Sequence, residues 1–134
     1  MEAMYRENIL DHGMHPRNRG ILDPADIDCE FSNPLCGDRL RLTLRTDGEG
    51  RISEIGWDGE GCAISQAAAS MLGEAILGKT MDEVDAIDKA WIFDALGIPL
   101  SMNRVKCALL SLKTLKVGLY GLDVWQRDEM KEED

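Results

Sequence analysis

The sequence holds little aromatic material and no long apolar run. Two Phe, two Tyr and three Trp supply 5% of its 134 residues. That is too few for the stacked aromatic platforms on which single-stranded nucleic acids are bound. No stretch approaches the roughly 20 consecutive apolar residues that a membrane-spanning helix needs. The first residues, MEAMYRENILDHG, carry charge throughout, so no secretory leader is expected. Basic charge is also scarce: 15 Lys and Arg stand against 25 Asp and Glu, a formal net charge of −10. Such a balance disfavours a protein held on nucleic acid by its global field. There is no internal repeat and no low-complexity linker. The expectation is a single cytoplasmic domain over residues 1–120, large enough for a real core. An acidic tail follows over 121–134. Its six acids and two bases read as a solvated, flexible segment.

What the sequence does hold is four cysteines: Cys29, Cys36, Cys62 and Cys107. An even count suits a disulfide framework in a small secreted chain, but in a reducing compartment it points elsewhere. Metal ligands, reactive thiols and small buried apolar residues are the readings that remain. Two of the four lie in locally basic sequence. Arg39, Arg41 and Arg45 follow Cys36, while Arg104, Lys106, Lys113 and Lys116 surround Cys107. Nearby cations favour thiolate over thiol, although ordinary surface basicity explains the pattern equally well.

The apolar periodicity predicts an α+β fold. Met4, Ile9 and Leu10 sit at loosely helical spacing over 3–11, before Gly13, Pro16 and Gly20 break the chain. Leu40, Leu42 and Leu44 alternate with Arg39, Arg41, Thr43 and Arg45, the period of a strand with one buried face. Asp47-Gly48-Glu49-Gly50 reads as a turn, and 51–58 as the returning strand, with one slip in its alternation. A short strand before Asn33 completes a three-stranded antiparallel sheet, since a lone hairpin is marginal. Ile64, Ala67, Ala68, Met71, Leu72, Ala75 and Ile76 then share a broad helical face closed by Gly78. Thr80 and Glu83 form a capping-box pattern, which predicts a helix of about ten residues, within the usual range. A short helix over 91–96 ends at Gly97, and a long amphipathic helix runs from Asn103 past Leu119. The architecture expected is four to five helices packed on one sheet face.

Three of the cysteines fall at element ends. Cys36-Gly37-Asp38 precedes a strand, and Gly37 allows a tight turn that aims Cys36 and Asp38 at one point. Cys62 directly precedes a helix, whose N-terminus lowers a thiol pKa. Gly59 and Gly61 read as a flexible approach to it. Cys107 lies in the first turns of the last helix, beside its apolar stripe. Three thiolates and one carboxylate make a four-coordinate set that suits zinc or an iron–sulfur cluster. A carboxylate is the harder ligand and fits a site that must release what it holds. The spacing is long, however, with 25 residues between Cys36 and Cys62 and 44 between Cys62 and Cys107. On spacing alone, buried small residues or surface thiols are slightly the better reading. His12 and His15 read as solvated or capping loop residues, Cys29 as incidental, Trp57 and Trp91 as core, and Trp125 as half-exposed. Ser65 and Gln66 stand where they could hydrogen-bond near Cys62.

Three segments carry a resemblance. Asn33-Pro34-Leu35-Cys36-Gly37-Asp38, Gly59-Glu60-Gly61-Cys62-Ala63-Ile64-Ser65-Gln66-Ala67 and Arg104-Val105-Lys106-Cys107-Ala108 resemble the three cysteine motifs of the IscU/NifU-type iron–sulfur cluster scaffold family. Tyr5-Arg6-Glu7-Asn8-Ile9-Leu10-Asp11-His12 and Pro16-Arg17-Asn18 resemble its first helix and loop. The resemblance implies that Cys36, Asp38, Cys62 and Cys107 hold either a zinc ion or a nascent [2Fe–2S] cluster. It implies a cysteine desulfurase as sulfur donor, apo iron–sulfur proteins as recipients, and a homodimer as an option when a cluster is bound. The sulfur acceptor would be Cys107 in the scaffold branch and Cys62 in the SufU branch.

The chain also departs from the family pattern. Lys106 stands where scaffold members carry His, as in the SufU branch. The insertion usual in SufU between the second and third cysteines is missing. The chaperone-docking Leu-Pro-Pro-Val-Lys segment is reduced to Ile98-Pro99-Leu100, which argues against a dedicated Hsp70-type partner. Three functions follow in order. The first is a non-enzymatic cluster assembly scaffold, the second a zinc-dependent sulfurtransferase, and the third a structural zinc module for interactions.

Overall fold

A computed structural model describes residues 2–33 and 37–120. Helix α1 (Glu2–Met14) leads into a loop and then a three-stranded antiparallel sheet, β1 (Ile27–Asn33), β2 (Asp38–Thr46) and β3 (Ile52–Glu60), in the order β1-β2-β3. Four helices follow: α2 (Ala63–Ile76), α3 (Met81–Asp85), α4 (Lys89–Leu96) and α5 (Met102–Tyr120). This is the expected α+β architecture, with five helices among the described residues. The expectations for 121–134 and for Trp125 fall outside them.

The sheet is formed by alternation. Leu40, Leu42 and Leu44 point into the core, where Leu44 is fully buried. The predicted slip is a register shift between Arg45 and Thr46 of β2, opposite Ile52. The three arginines that flank or interrupt this run, Arg39, Arg41 and Arg45, lie on the other face and are bound in cross-strand ion pairs. Arg39 reaches Glu30 at 2.6 Å, Arg41 reaches Asp28 at 2.7 Å, and Arg45 reaches Glu54 at 2.7 Å. Their positive charge is therefore met by acids on the sheet's outer face.

Helix α5 packs on β1 and β2, α2 packs on β3 and α5, and α1 lies over α2 and α4. Trp57 of β3 is completely buried, and its Nε1–H donates to the Arg17 carbonyl at 2.7 Å. Trp91 is only half-buried, packed against the rim of the core. The segment after α1 closes on the free edge of β3. Gly20 N–H donates to the Trp57 carbonyl at 2.8 Å, and Trp57 N–H to the Asn18 carbonyl at 3.1 Å.

The capping box at Thr80 and Glu83 is present, but the helix it opens has five residues rather than ten. Asp88 ends the run by capping α4, accepting from Trp91 N–H at 3.0 Å. Lys116, read from the sequence as part of a basic segment, is also committed elsewhere. It is buried, and its ammonium donates to the Asp85 carbonyl at 2.8 Å, at the end of α3.

Candidate metal centre

The site assembles where β2 begins, α2 begins and α5 completes its second turn. Asn33 and Asp38 are paired residues at the end of the β1–β2 ladder. Gly37 adopts the left-handed conformation (φ 74°), and its N–H donates to the Asn33 carbonyl at 2.9 Å. Only glycine enters that region without a steric penalty, and the turn delivers Asp38 into the interior with 2% of its surface exposed. Cys62 is the N-cap residue of α2, with extended backbone and no side-chain cap bond of its own. Cys107 lies on the inner side of α5 and is buried, deeper than the position beside the stripe that its helical spacing suggests.

These three residues converge. One carboxylate oxygen of Asp38 and the Sγ atoms of Cys62 and Cys107 all lie within 4.8 Å of one another. Cys36 lies outside the described residues. Asp38 accepts the Cys62 backbone N–H at Oδ1 (3.2 Å) and the Cys62 thiol at Oδ2 (3.8 Å). A carboxylate has about four acceptor positions and is costly to bury without a compensating cation or strong donors. Here it has one amide and one weak thiol donor, with two sulfurs beside it. A hard carboxylate oxygen beside two soft sulfurs is a donor set that suits a thiophilic cation.

The turn before Cys62 is tight rather than loose. Neither Gly59 nor Gly61 has a positive φ. A Cβ on Gly61 would run into the Asp38 carboxylate and the Ser65 hydroxyl, and one on Gly59 into the Arg39 carbonyl. Close approach, not flexibility, accounts for these glycines. Ser65 donates its hydroxyl to the Cys62 carbonyl at 3.0 Å, and Gln66 donates its side-chain amide to the Gly59 carbonyl at 3.4 Å. Both were legible as helix-start polar residues. Arg19, whose Nη2 donates to the Gly59 carbonyl at 3.0 Å and Nη1 to the Gln66 Oε1 at 3.1 Å, was not: it lies 43 positions before Cys62, and nothing in its local sequence links it to this turn.

The remaining candidates separate from the site. Cys29 on β1 is half-buried against Gly118 of α5. Burial first, and then the Asp28 charge, push its thiol pKa up, so it remains a protonated structural residue. His12 is neither solvated nor capping. It is 4% exposed, and its Nδ1 lies 2.7 Å from the Ser70 hydroxyl, well down α2 from Cys62. Ser70 also accepts the Arg17 N–H at 2.9 Å. Burial, with the Arg17 charge, lowers the His12 pKa. His15 is exposed.

Residues 4–126 match the family model of the NifU-like N-terminal domain. The chain belongs to that family. Among its relatives, the zinc-dependent sulfurtransferase SufU of Bacillus subtilis (strain 168) is 37% identical, over 89% of this chain and 91% of that protein. The iron–sulfur cluster assembly scaffold protein IscU of Aquifex aeolicus (strain VF5) is 33% identical, over 89% of this chain and 76% of that protein. Among solved structures, FiSufU of Fervidobacterium islandicum AW-1, a candidate iron–sulfur cluster assembly scaffold for the SUF system, superposes with a TM-score of 0.74 at 30% identity. That match covers 88% of this chain and 98% of the other. The family therefore includes relatives of both kinds that the three cysteine motifs suggest, and its members share this sheet-and-helix fold.

Proposed function

We propose that this protein is an iron–sulfur cluster assembly scaffold whose cargo site is Asp38, Cys62 and Cys107, joined by Cys36. The observation that carries the reading is the convergence of two thiols and a buried carboxylate from three separate elements within 4.8 Å. No helix among the described residues is long and apolar enough to cross a membrane.

Sulfur would arrive as the persulfide of a cysteine desulfurase. A thiolate of this chain attacks the outer sulfur, the bond between the two sulfurs breaks, and the desulfurase thiolate leaves. Cys62 is the better exposed of the two described candidates, being half-buried where Cys107 is buried. The carboxylate makes the assembled cluster easier to release to an apo-protein than a fourth thiolate would.

A second reading is favoured by the 37% identity to the Bacillus subtilis zinc-dependent sulfurtransferase and by Lys106, exposed one residue before Cys107. A zinc ion held by the same residues would keep the thiols deprotonated and protected until a partner displaces one. The two readings separate in one experiment. The protein is purified anaerobically, assayed for iron, zinc and sulfide, incubated with desulfurase and cysteine, and then given ferrous iron with a thiol reductant that brings persulfide sulfur to sulfide. Sulfide-dependent iron incorporation supports the scaffold. Stoichiometric zinc that persists, with a persulfide on Cys62 or Cys107 found by mass spectrometry and no cluster, supports the sulfurtransferase.

A further inference from the structure

The geometry points to Arg19 as a positioning residue for Cys62, acting as a two-pronged strap across the β3–α2 turn. The inference builds on the reading of Cys62 as a site residue, but it concerns a side chain from a different part of the chain. Arg19 lies in the segment after α1, bridged in parallel to Trp57 on the open edge of β3. That backbone pairing fixes where its side chain starts. The guanidinium lies 5.2 Å from the centre of the Trp57 ring, which holds its plane over the strand. Its Nη2 donates to the Gly59 carbonyl at 3.0 Å and to the Asp58 carboxylate at 3.3 Å. Its Nη1 donates to the Gln66 Oε1 at 3.1 Å.

The two prongs thus hold different elements. Gly59 is at the end of β3, and Gln66 is on the first turn of α2. Between them run Glu60, Gly61 and Cys62, which make the turn. Gln66 completes the loop of contacts by donating its own side-chain amide to the same Gly59 carbonyl at 3.4 Å, and its backbone N–H to the Cys62 carbonyl at 3.1 Å. The separation of strand end and helix start is set by one planar fork. A guanidinium can span both acceptors with a rigid geometry, whereas an ammonium is a single point of charge. Asp38 also secures Cys62 by accepting its backbone N–H. Asp38 thus holds the Cys62 backbone directly and Arg19 holds it through Gly59 and Gln66, and the strap sets how far its thiol stands from Cys107.

The test uses the metal-free full-length protein, so it does not depend on which cargo or partner is correct. Site-resolved mass spectrometry follows alkylation of Cys62, with Cys29 as the internal control, in wild type, Arg19→Ala, Arg19→Lys, Gln66→Ala and the Arg19→Ala/Gln66→Ala double variant. Zinc affinity is read in parallel by chelator competition. Loss of one such bond corresponds to about a five-fold effect. Arg19→Ala and Gln66→Ala should each change the Cys62 rate and weaken zinc by about that factor, leaving Cys29 unchanged. The double variant should go no further than either single one, because both cut the same strap. Arg19→Lys, which keeps the charge but not the fork, should behave as Arg19→Ala. Unchanged Cys62 reactivity and zinc affinity would overturn the inference. So would full rescue by lysine, which would reduce the role to charge, or a parallel change at Cys29, which would indicate general loosening.

Discussion

Replacing Gly61 by alanine puts a methyl group against the Asp38 carboxylate and the Ser65 hydroxyl. Overpacking of that kind costs about 1–3 kcal/mol. Gly61→Ala should lower the denaturant midpoint accordingly and weaken metal loading, read by unfolding curves and by zinc content. Asp38→Ala acts differently. It leaves the Cys62 N–H without its acceptor, a cost of about 1–3 kcal/mol. It also removes the carboxylate proposed to make the cargo labile, so a cluster assembled on the variant should persist longer than on wild type. Faster decay of its visible spectrum would refute the lability assigned to the carboxylate. His12 gives a pH signature. Its folded-state pKa is held below the ordinary value of 6.5 by burial, with Arg17 adding to the effect and Glu74 and Asp11 opposing it. The unfolded chain then binds the extra proton first, so this contribution to stability is complete above about pH 6.5 and declines as the pH falls toward the folded-state pKa. His12→Gln should flatten that limb of the stability–pH curve. At this scale the ligand types were legible because soft and hard donors stand out in a sequence. The burial of His12 was not, since a histidine near a loop gives no sign that Ser70 lies opposite it, 58 positions away.

Short-range signals carried most of the element-scale information. The alternation of Leu40, Leu42 and Leu44 and the face from Ile64 to Ile76 each repeat a period several times, and β2 and α2 stand where those patterns put them. Helix α3 shows where such signals stop. Thr80 and Glu83 mark a start but say nothing of length, and Asp88 captures the Trp91 N–H to begin a new helix. A five-residue helix is too short to stand alone. Its cap at one end and Lys116 on the Asp85 carbonyl at the other hold it in place. Thr80→Ala should therefore cost about 1 kcal/mol, read as a lowered denaturant midpoint with an unchanged slope. A midpoint equal to wild type would mean that packing of the buried Val84 holds α3 by itself.

Over the whole molecule, charge proved the most misleading quantity when read along the chain. Arg39, Arg41 and Arg45 look like a basic surround for Cys36 in sequence, yet alternation carries them to the sheet face opposite the core, where acids of β1 and β3 meet them. A period of two separates neighbours in sequence onto opposite faces. The opposite happens at the site. Asp38, Cys62 and Cys107 are far apart in the chain and meet only because a strand start, a helix start and a helix interior share one corner of the fold. In the scaffold reading this corner builds a cluster. The most direct measurement is anaerobic reconstitution with desulfurase, cysteine, ferrous iron and a thiol reductant that brings the persulfide sulfur to sulfide, followed by visible circular dichroism with iron and sulfide analysis, on wild type beside Cys107→Ser. The scaffold reading predicts a sulfide-dependent signal with equal iron and sulfide in wild type, and its loss in the variant. Stoichiometric zinc with no such signal in wild type, or an equal signal in Cys107→Ser, would contradict it.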